Sequence, residues 1–319
     1  MDVLTDVVTF LRITGRLYGR LEFSAPWGFE FPGGKGKCLI MIRGTCILGV
    51  NGKDFDTPLT GGDFLLIPAP ETYSLRSSAD APITSVLTIT TEEEFARTRL
   101  ITGGGGGVQT ALIAGCIEFG TNESSWLVKE LPPVLHLSAS GPDAPPWFQS
   151  TLQFMAAELS AEKPGAPLVV DRLAEVLFIQ ALRSQIKIAD RDNYTGWLRA
   201  LADPQIGESL RLIHLDPSRN WSVPELAQNV SMSRSAFAAR FKQLVGETPI
   251  DHLTRWRMVK AAGMMTSDES MKLCSIAQSV GYDTSSAFGK AFKRIMGVTP
   301  AEYKSAHCPG IISAKTLHL

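Results

Sequence analysis

Ser235, Ala239 and Lys242 stand four and three residues apart, and the same spacing returns 51 residues later as Ser286, Lys290 and Lys293. Ala238 and Gly289 occupy matching places beside them, and Arg294 extends the second set. Steps of three and four put side chains on one face of a helix. The inventory on that face is small, hydroxylic or basic. Lys and Arg reach guanine edges and phosphate oxygens, Ser hydrogen-bonds to either, and Ala packs on the thymine methyl group. The chemistry such a face offers is recognition of duplex DNA through the major groove, with no bond made or broken. The candidate contacts are therefore Ser235, Ala238, Ala239 and Lys242 in the first set and Ser286, Lys290, Lys293 and Arg294 in the second.

The flanking residues supply the elements that would position these faces. The stretches "SAFAARFKQLVGETP" from Ser235 and "SAFGKAFKRIMGVTP" from Ser286 share Ser, Ala, both Phe, Lys, Gly, Thr and Pro at equivalent places. In each, apolar side chains form the opposite stripe: Phe237, Phe241, Leu244 and Val245, then Phe288, Phe292, Ile295 and Met296. Before each stretch lies a second stripe at i, i+3, i+4 and i+7, namely Val223, Leu226, Ala227 and Val230, then Leu273, Ile276, Ala277 and Val280. Ser222 followed by Glu225 predicts a capping box at the first of these helices. A few Ser, Gly, Asp and Thr residues break the pattern in between, so each copy reads as helix, turn, helix. Ala227 and Ala277 suit the close crossing such a unit needs, and Cys274, inside the stripe-bearing helix, is expected in the core. Helical arrays that bind no DNA stack three or more repeats, so two copies fit paired DNA readers better.

Charge permits this partner without demanding it. The net charge of the 319 residues is −1, but residues 203–319 carry 14 Lys+Arg against 10 Asp+Glu, whereas residues 1–202 carry 17 against 22. No apolar run approaches the ~18 residues of a membrane span, and the N-terminus lacks the basic and cleavage features of a signal peptide. Cys38, Cys46, Cys116, Cys274 and Cys308 form no CxxC pair, which argues against a disulfide scaffold or a zinc site and predicts a reducing cytoplasm.

The first half has another grammar. From about Leu17 to Phe119, short apolar runs such as "CLIMIRG", "TCILGVNGK" and "FLLIPAPE" are separated by turn residues, including Asn51-Gly52 and Gly61-Gly62-Asp63. They predict antiparallel strands in a sandwich or small barrel. Gly103 to Gly107 are followed by neither GK[ST] nor a helix, and read as a flexible inter-strand loop rather than a phosphate cradle. After the Pro-rich "LPPVLHLSASGPDAPPW", helical periodicity predicts two helices joined by "KPGAP", the second with a stripe of Leu173, Val176, Leu177, Gln180 and Ala181. That stripe serves intramolecular packing or self-association equally well.

The segment from about Asp203 to Lys304 resembles the DNA-binding domain of AraC/XylS-type bacterial transcription regulators, with "IDHLTRWRMVKAAGMM" as the helix joining two helix-turn-helix units. The second unit carries the family signature as "IAQSVGYDTSSAFGKAFKRIMGVTPAEYK". The resemblance implies that both second helices enter successive major-groove segments about one turn apart, and that RNA polymerase is a partner. Family members often carry a long polar or basic residue where Ala238 and Ala239 stand, which implies weaker direct readout by the first unit. Trp221, Trp256 and Tyr282 are expected in core or hinge positions. The N-terminal half is similar to the cupin-like sensor of one branch of the family, through "SAPWGFEFP", "GGDFLLIPAPETYSL", "LPPVLHL" and "DRLAEVLFIQALR". Metal-binding cupins present several His, but here the first is His136, expected to be structural, and Tyr73 stands where a ligand would be. No metal or cofactor is expected, and a small-molecule or redox effector is implied instead. Cys38, Cys46 and Cys116 are the redox candidates; Cys38 and Cys46 are expected on the same or adjacent strands, and burial without reactivity is their simpler reading.

The reading is an α+β multidomain chain: a cupin-like β-barrel sensor over 1–140, a helical connector over 141–202 that is a candidate dimerisation element, and an all-α double helix-turn-helix domain over 203–319. It is expected to be a cytoplasmic, non-enzymatic, effector-responsive activator that binds promoter DNA. The alternatives are a cupin-type enzyme, a methyl-accepting cysteine protein on the same DNA-binding fold, and a sequence-indifferent architectural DNA-binding protein.

Overall fold

The computed structural model describes residues 2–11, 14–50, 53–118, 128, 131–139, 141, 144–161, 163–189, 197–267 and 270–307. The chain divides into two compact units, residues 11–188 and residues 1–10 with 189–319. All but the last residue of the first helix, α1 (Val3–Leu11), thus belongs with the C-terminal unit.

The unit over 11–188 is built on two sheets. Its strands are β1 (Thr14–Ser24), β2 (Gly28–Pro32), β3 (Gly36–Arg43), β4 (Thr45–Val50), β5 (Lys53–Thr60), β6 (Phe64–Ile67), β7 (Thr72–Arg76), β8 (Thr84–Ser85), β9 (Leu100–Gly104), β10 (Gln109–Glu118) and β11 (Leu135–Leu137). One sheet runs β11-β6-β3-β10-β1-β9 and the other β5-β4-β7-β2-β8. Neighbours are antiparallel except at two edges, where β9 runs parallel to β1 and β8 parallel to β2. Strand alternation turns Leu21, Phe23, Phe29, Leu39, Met41, Leu48 and Leu75 inward to one core, and Phe23 meets Trp27 at 4.6 Å and Phe29 at 4.9 Å between ring centroids. Burying each such side chain stabilises the unit by about 1.5–3 kcal/mol.

Two turn readings meet different outcomes. Gly61-Gly62-Asp63 turns β5 into β6, with the buried Asp63 carboxylate accepting from the Thr60 and Ala139 N–H groups and lying 3.2 Å from His136. His136 is thereby a structural partner, as its sequence context predicts. Asn51-Gly52 lies outside the described residues, although β4 and β5 on either side pair antiparallel. The glycine run departs from its reading as a flexible loop. Gly105 and Gly107 donate to the Ser24 and Ala25 carbonyls and Gly106 to the Ser24 hydroxyl. A Cβ at Gly104, where φ is +112°, would sit 2.0 Å from the Ser24 oxygen. Glycine is there because two backbones touch.

A 3-10 turn (Val86–Thr88) and α2 (Glu92–Thr98) precede β9, and α3 (Phe148–Ser160) and α4 (Ala166–Ala189) follow β11. The predicted stripe of α4 is rotated. Its buried side is Val170, Ala174, Leu177, Phe178, Ala181 and Leu182, while Val176 is exposed and Leu173 and Gln180 are half-buried. The aromatic Phe178 and the branched Leu182 carry more apolar area than Val176 and Gln180, and they set the inward face.

The other unit is helical: α1, then α5 (Trp197–Ala202), α6 (Pro204–Leu215), α7 (Val223–Asn229), α8 (Arg234–Val245), α9 (Pro249–Ser267), α10 (Leu273–Ser279), α11 (Ser285–Met296) and α12 (Pro300–His307). Helices α7 and α8 form one helix pair and α10 and α11 another, with the 19-residue α9 between them. Among the described residues no helix is long and apolar enough to cross a membrane.

Candidate nucleic-acid interface

Capping fixes where each reader helix begins and ends. The Ser233 hydroxyl accepts from the Ala236 N–H at the start of α8, and the Thr284 hydroxyl accepts from the Ala287 N–H at the start of α11. Both end on a left-handed glycine, Gly246 and Gly297. Each turn closes on the small residue of the helix before it, Met232 N–H to the Ala227 carbonyl and Tyr282 N–H to the Ala277 carbonyl, both at 2.9 Å. The Ser222 hydroxyl caps α7 through the Glu225 N–H, but the Glu225 carboxylate pairs with Arg219, so the box is half-formed.

The inward residues are as the periodicity predicts. Phe237, Phe241 and Leu244 are buried in α8, and Phe288 and Phe292 in α11, with Val245, Ile295 and Met296 half-buried. Ser235, Ala239, Lys242, Ser286, Lys290, Lys293 and Arg294 are exposed, and Ala238 is half-buried at the edge. Two cations escape that helical wheel. Arg234 is exposed at the first position of α8, and Arg240, also exposed, lies outside the predicted outer face by helical register and pairs with Asp203. Asp203 caps α6 through the Gln205 and Ile206 N–H groups. Burial pushes the Asp203 carboxyl upward, but those N–H groups and Arg240 outweigh it and hold it below the usual carboxylate range. Cys274 corrects the sequence reading, since it is exposed. It follows Leu273 by one position, a rotation of about 100° off the buried stripe.

The two helix pairs are clasped at one point. The Arg257 guanidinium, on α9 and 8% exposed, donates to the carbonyls of Pro217, Ser218 and Arg219 at 2.6, 3.2 and 3.0 Å, in the loop that enters the first pair. It also lies 5.5 Å from the centroid of Tyr282, in the turn of the second pair. In that turn, Gly281 adopts φ +84°, and a Cβ there would fall 2.3 Å from the Ser218 oxygen. The turn of one pair therefore rests on the loop of the other. Trp221 donates to the Asp216 carbonyl, and Trp256 stacks on buried His214 at 3.9 Å, so both tryptophans serve packing. Burial holds His214 neutral, well below the usual histidine range, with His252 and Lys260 adding to the effect. Its Nε2 lies 3.2 Å from the Nε2 of His252.

In the sheet unit, Cys38, Cys46 and Cys116 are buried free thiols. Cys38 is on β3 and Cys46 on β4, consecutive strands as expected, and Cys116 is on the later β10, but β3 and β4 belong to different sheets. The chain breaks at Gly44 and crosses from one sheet to the other. Burial pushes both thiols up to about 12, the opposite of what thiolate chemistry requires. Cys308 lies outside the described residues. Among the described residues no group of three or more His, Cys, Asp and Glu is placed to hold a metal.

Residues 2–187 match a family model described as Cupin, and residues 226–306 match one described as Helix-turn-helix domain. The chain is 36% identical over 307 residues to an AraC-like transcription regulator of Streptomyces lividans, covering 95% of this chain and 98% of that protein. It is equally identical over 310 residues to an AraC-like regulator of Streptomyces antibioticus, covering 97% and 100%. Among solved structures, the C-terminal domain of AraT, a response regulator of Geobacillus stearothermophilus, is 31% identical, covers 37% of this chain and 94% of its own, and superposes with a TM-score of 0.32. With a cupin model over more than half its length and such relatives end to end, the chain belongs to the AraC family of DNA-binding transcription regulators.

Proposed function

We propose that this protein is an effector-responsive transcription activator, in which α8 and α11 read adjacent major-groove segments of promoter DNA. The clasp of Arg257 and Gly281 carries the reading, because it fixes two exposed readers relative to one another. Lys290 and Ser286 make the more discriminating contacts, Ser235, Ala238 and Ala239 give a plainer surface to the first segment, and Lys242, Lys293 and Arg294 approach phosphates. Residues 1–140 act as sensor, 141–202 as connector and 203–319 as DNA-binding domain, in the cytoplasm and without catalysis. Exposed Val169 and Val176, seven residues apart on α4, support a homodimer through that helix. Activation proceeds through contact with RNA polymerase, and the effector shifts the population of DNA-competent states. High thiol pKa values at Cys38 and Cys46 favour a small-molecule effector over a redox one.

The test is a footprint of the full chain on the DNA upstream of its own gene, with and without effector candidates, at near-physiological salt because phosphate contacts inflate affinity below it. The expected result is a discrete protected region spanning two adjacent turns on one face. Equal affinity for operator and scrambled duplex would overturn the reading in favour of a sequence-indifferent architectural protein.

A further inference from the structure

Between the two sheets of the 11–188 unit lies a cavity of about 660 Å³, within the size range of small-molecule sites. Its wall is apolar, with Leu21, Phe31, Val86, Phe95 and Ile101. Polar side chains that can donate a hydrogen bond also line it, namely Lys35, Lys37, Tyr73, Thr90, Thr91 and Cys116. Strand register sets Lys37 on β3 opposite Cys116 on β10, and the Lys37 ammonium lies 3.6 Å from the Cys116 sulfur. Lys37 is half-buried and has no carboxylate within 4 Å among the described residues. Tyr73 is 95% buried, stacks on Phe31 at 5.0 Å, and has no hydrogen-bond partner for its hydroxyl among the described residues.

The Tyr73 hydroxyl and the half-buried Lys37 ammonium both face the cavity without an acceptor or counter-ion among the described residues, and a ligand that brings these groups gains from both. No Asp or Glu is among the described residues lining the cavity. Lys35, at the mouth, is already paired with Glu118 at 2.5 Å, which leaves one uncompensated positive charge. The complement is a single negative charge, on a group that only accepts hydrogen bonds, attached to an apolar body. We propose that the cavity binds an apolar monocarboxylate, its carboxylate held by the Lys37 ammonium and the Tyr73 hydroxyl and its body against the apolar wall. This inference rests on the effector-responsive reading above and names the class of its ligand.

Calorimetric titration of the full chain with sodium 4-phenylbutyrate and sodium decanoate tests it, with the two neutral amides as controls. At least one carboxylate is expected to bind tenfold or more tighter than its amide, and the better of the two tells whether the body is aryl or alkyl. Lys37→Met should cost about tenfold or more for the carboxylate and leave the amide unchanged, whereas Lys37→Arg should keep the preference. Tyr73→Phe, which keeps the ring stack, should weaken the carboxylate about threefold or more. No binding by either carboxylate, an amide that binds as tightly, or a folded Lys37→Met chain with unchanged carboxylate affinity would each overturn the proposal. If Lys37→Met does not fold, the carboxylate-to-amide ratio and Tyr73→Phe decide. Operator titration of the same samples separates the two claims: carboxylate binding without any change in operator affinity keeps the site and overturns the effector reading.

Discussion

Arg257→Met removes a guanidinium while keeping most of the length and apolar stem of the side chain. The group lost donates to three backbone carbonyls of residues 217–219 and reaches the Asn220 side-chain oxygen at 3.4 Å, in a position only 8% exposed. Hydrogen bonds from a charged donor contribute about 1.5–3 kcal/mol each in net terms, but those of one group are not additive, and the carbonyls left behind lose their partner. A loss of about 3–5 kcal/mol in local stability follows, similar to breaking a buried ionic network from one side. Hydrogen exchange of the full chain reads this element by element and suits a chain of two units, where one unfolding midpoint has no clear meaning. The amides of residues 226–230 and 277–282, including the Tyr282 N–H on the Ala277 carbonyl, should exchange about two to four orders of magnitude faster. Those of β10 should not change. Acceleration below about tenfold, or acceleration confined to residues 217–220, would refute the idea that one guanidinium holds both helix pairs.

Lys290→Ala should cost about tenfold in the ratio of operator to scrambled-duplex affinity, and Ala239→Ser clearly less; equal losses would contradict the division of labour between the readers. Lys293→Gln should weaken all duplexes alike and reduce the slope of log affinity against log salt by about one, and an unchanged slope would remove Lys293 from the phosphate contacts. Gly281→Ala forces a Cβ to 2.3 Å from the Ser218 oxygen at φ +84°, so a cost above about 2 kcal/mol and loss of operator binding are expected in exchange and footprint assays. His214 stays neutral when folded but takes a proton near pH 6.5 when unfolded, so its contribution is flat above that pH and stability falls as pH drops below it. Denaturant titrations of the helical signal at pH 7 and pH 5 should show a smaller fall for His214→Gln than for the parent chain, and equal falls would exclude His214 as the source.

The helical unit was legible because its signals are local and repeated. A stripe at i, i+3, i+4 and i+7 fixes which side of a helix is buried, and two copies of one stripe confirm each other, so Phe237 and Lys242 could be placed from spacing alone. Cys274 was misplaced by reading position within an element as burial, when one residue of rotation turns a side chain outward. The inward face of α4 was misread because several apolar residues compete for it, and the largest win. In the sheet unit the runs revealed strands but not their pairing. Cys38 and Cys46 are eight residues apart and lie in different sheets, whereas Lys37 and Cys116 are 79 apart and touch. Register arises from contacts distant in sequence, and so does every polar group that faces the cavity. The glycine run was readable as a break, but only Ser24 and Ala25, some 80 residues earlier, explain why side chains are excluded there.

The contact of Gly281 with the loop at Ser218 makes the DNA-binding unit a ruler as well as a reader. With α8 and α11 fixed to one another, the proposed reading requires a promoter to present its two half-elements at a set separation and a set rotation about the duplex axis. One inserted base pair moves the second half-element about 3.4 Å along the axis and turns it by about 35°. A regulator clasped in this way can tolerate a changed base in one half-element more readily than a changed length between them. Its targets are then marked in a genome by spacing as much as by letters.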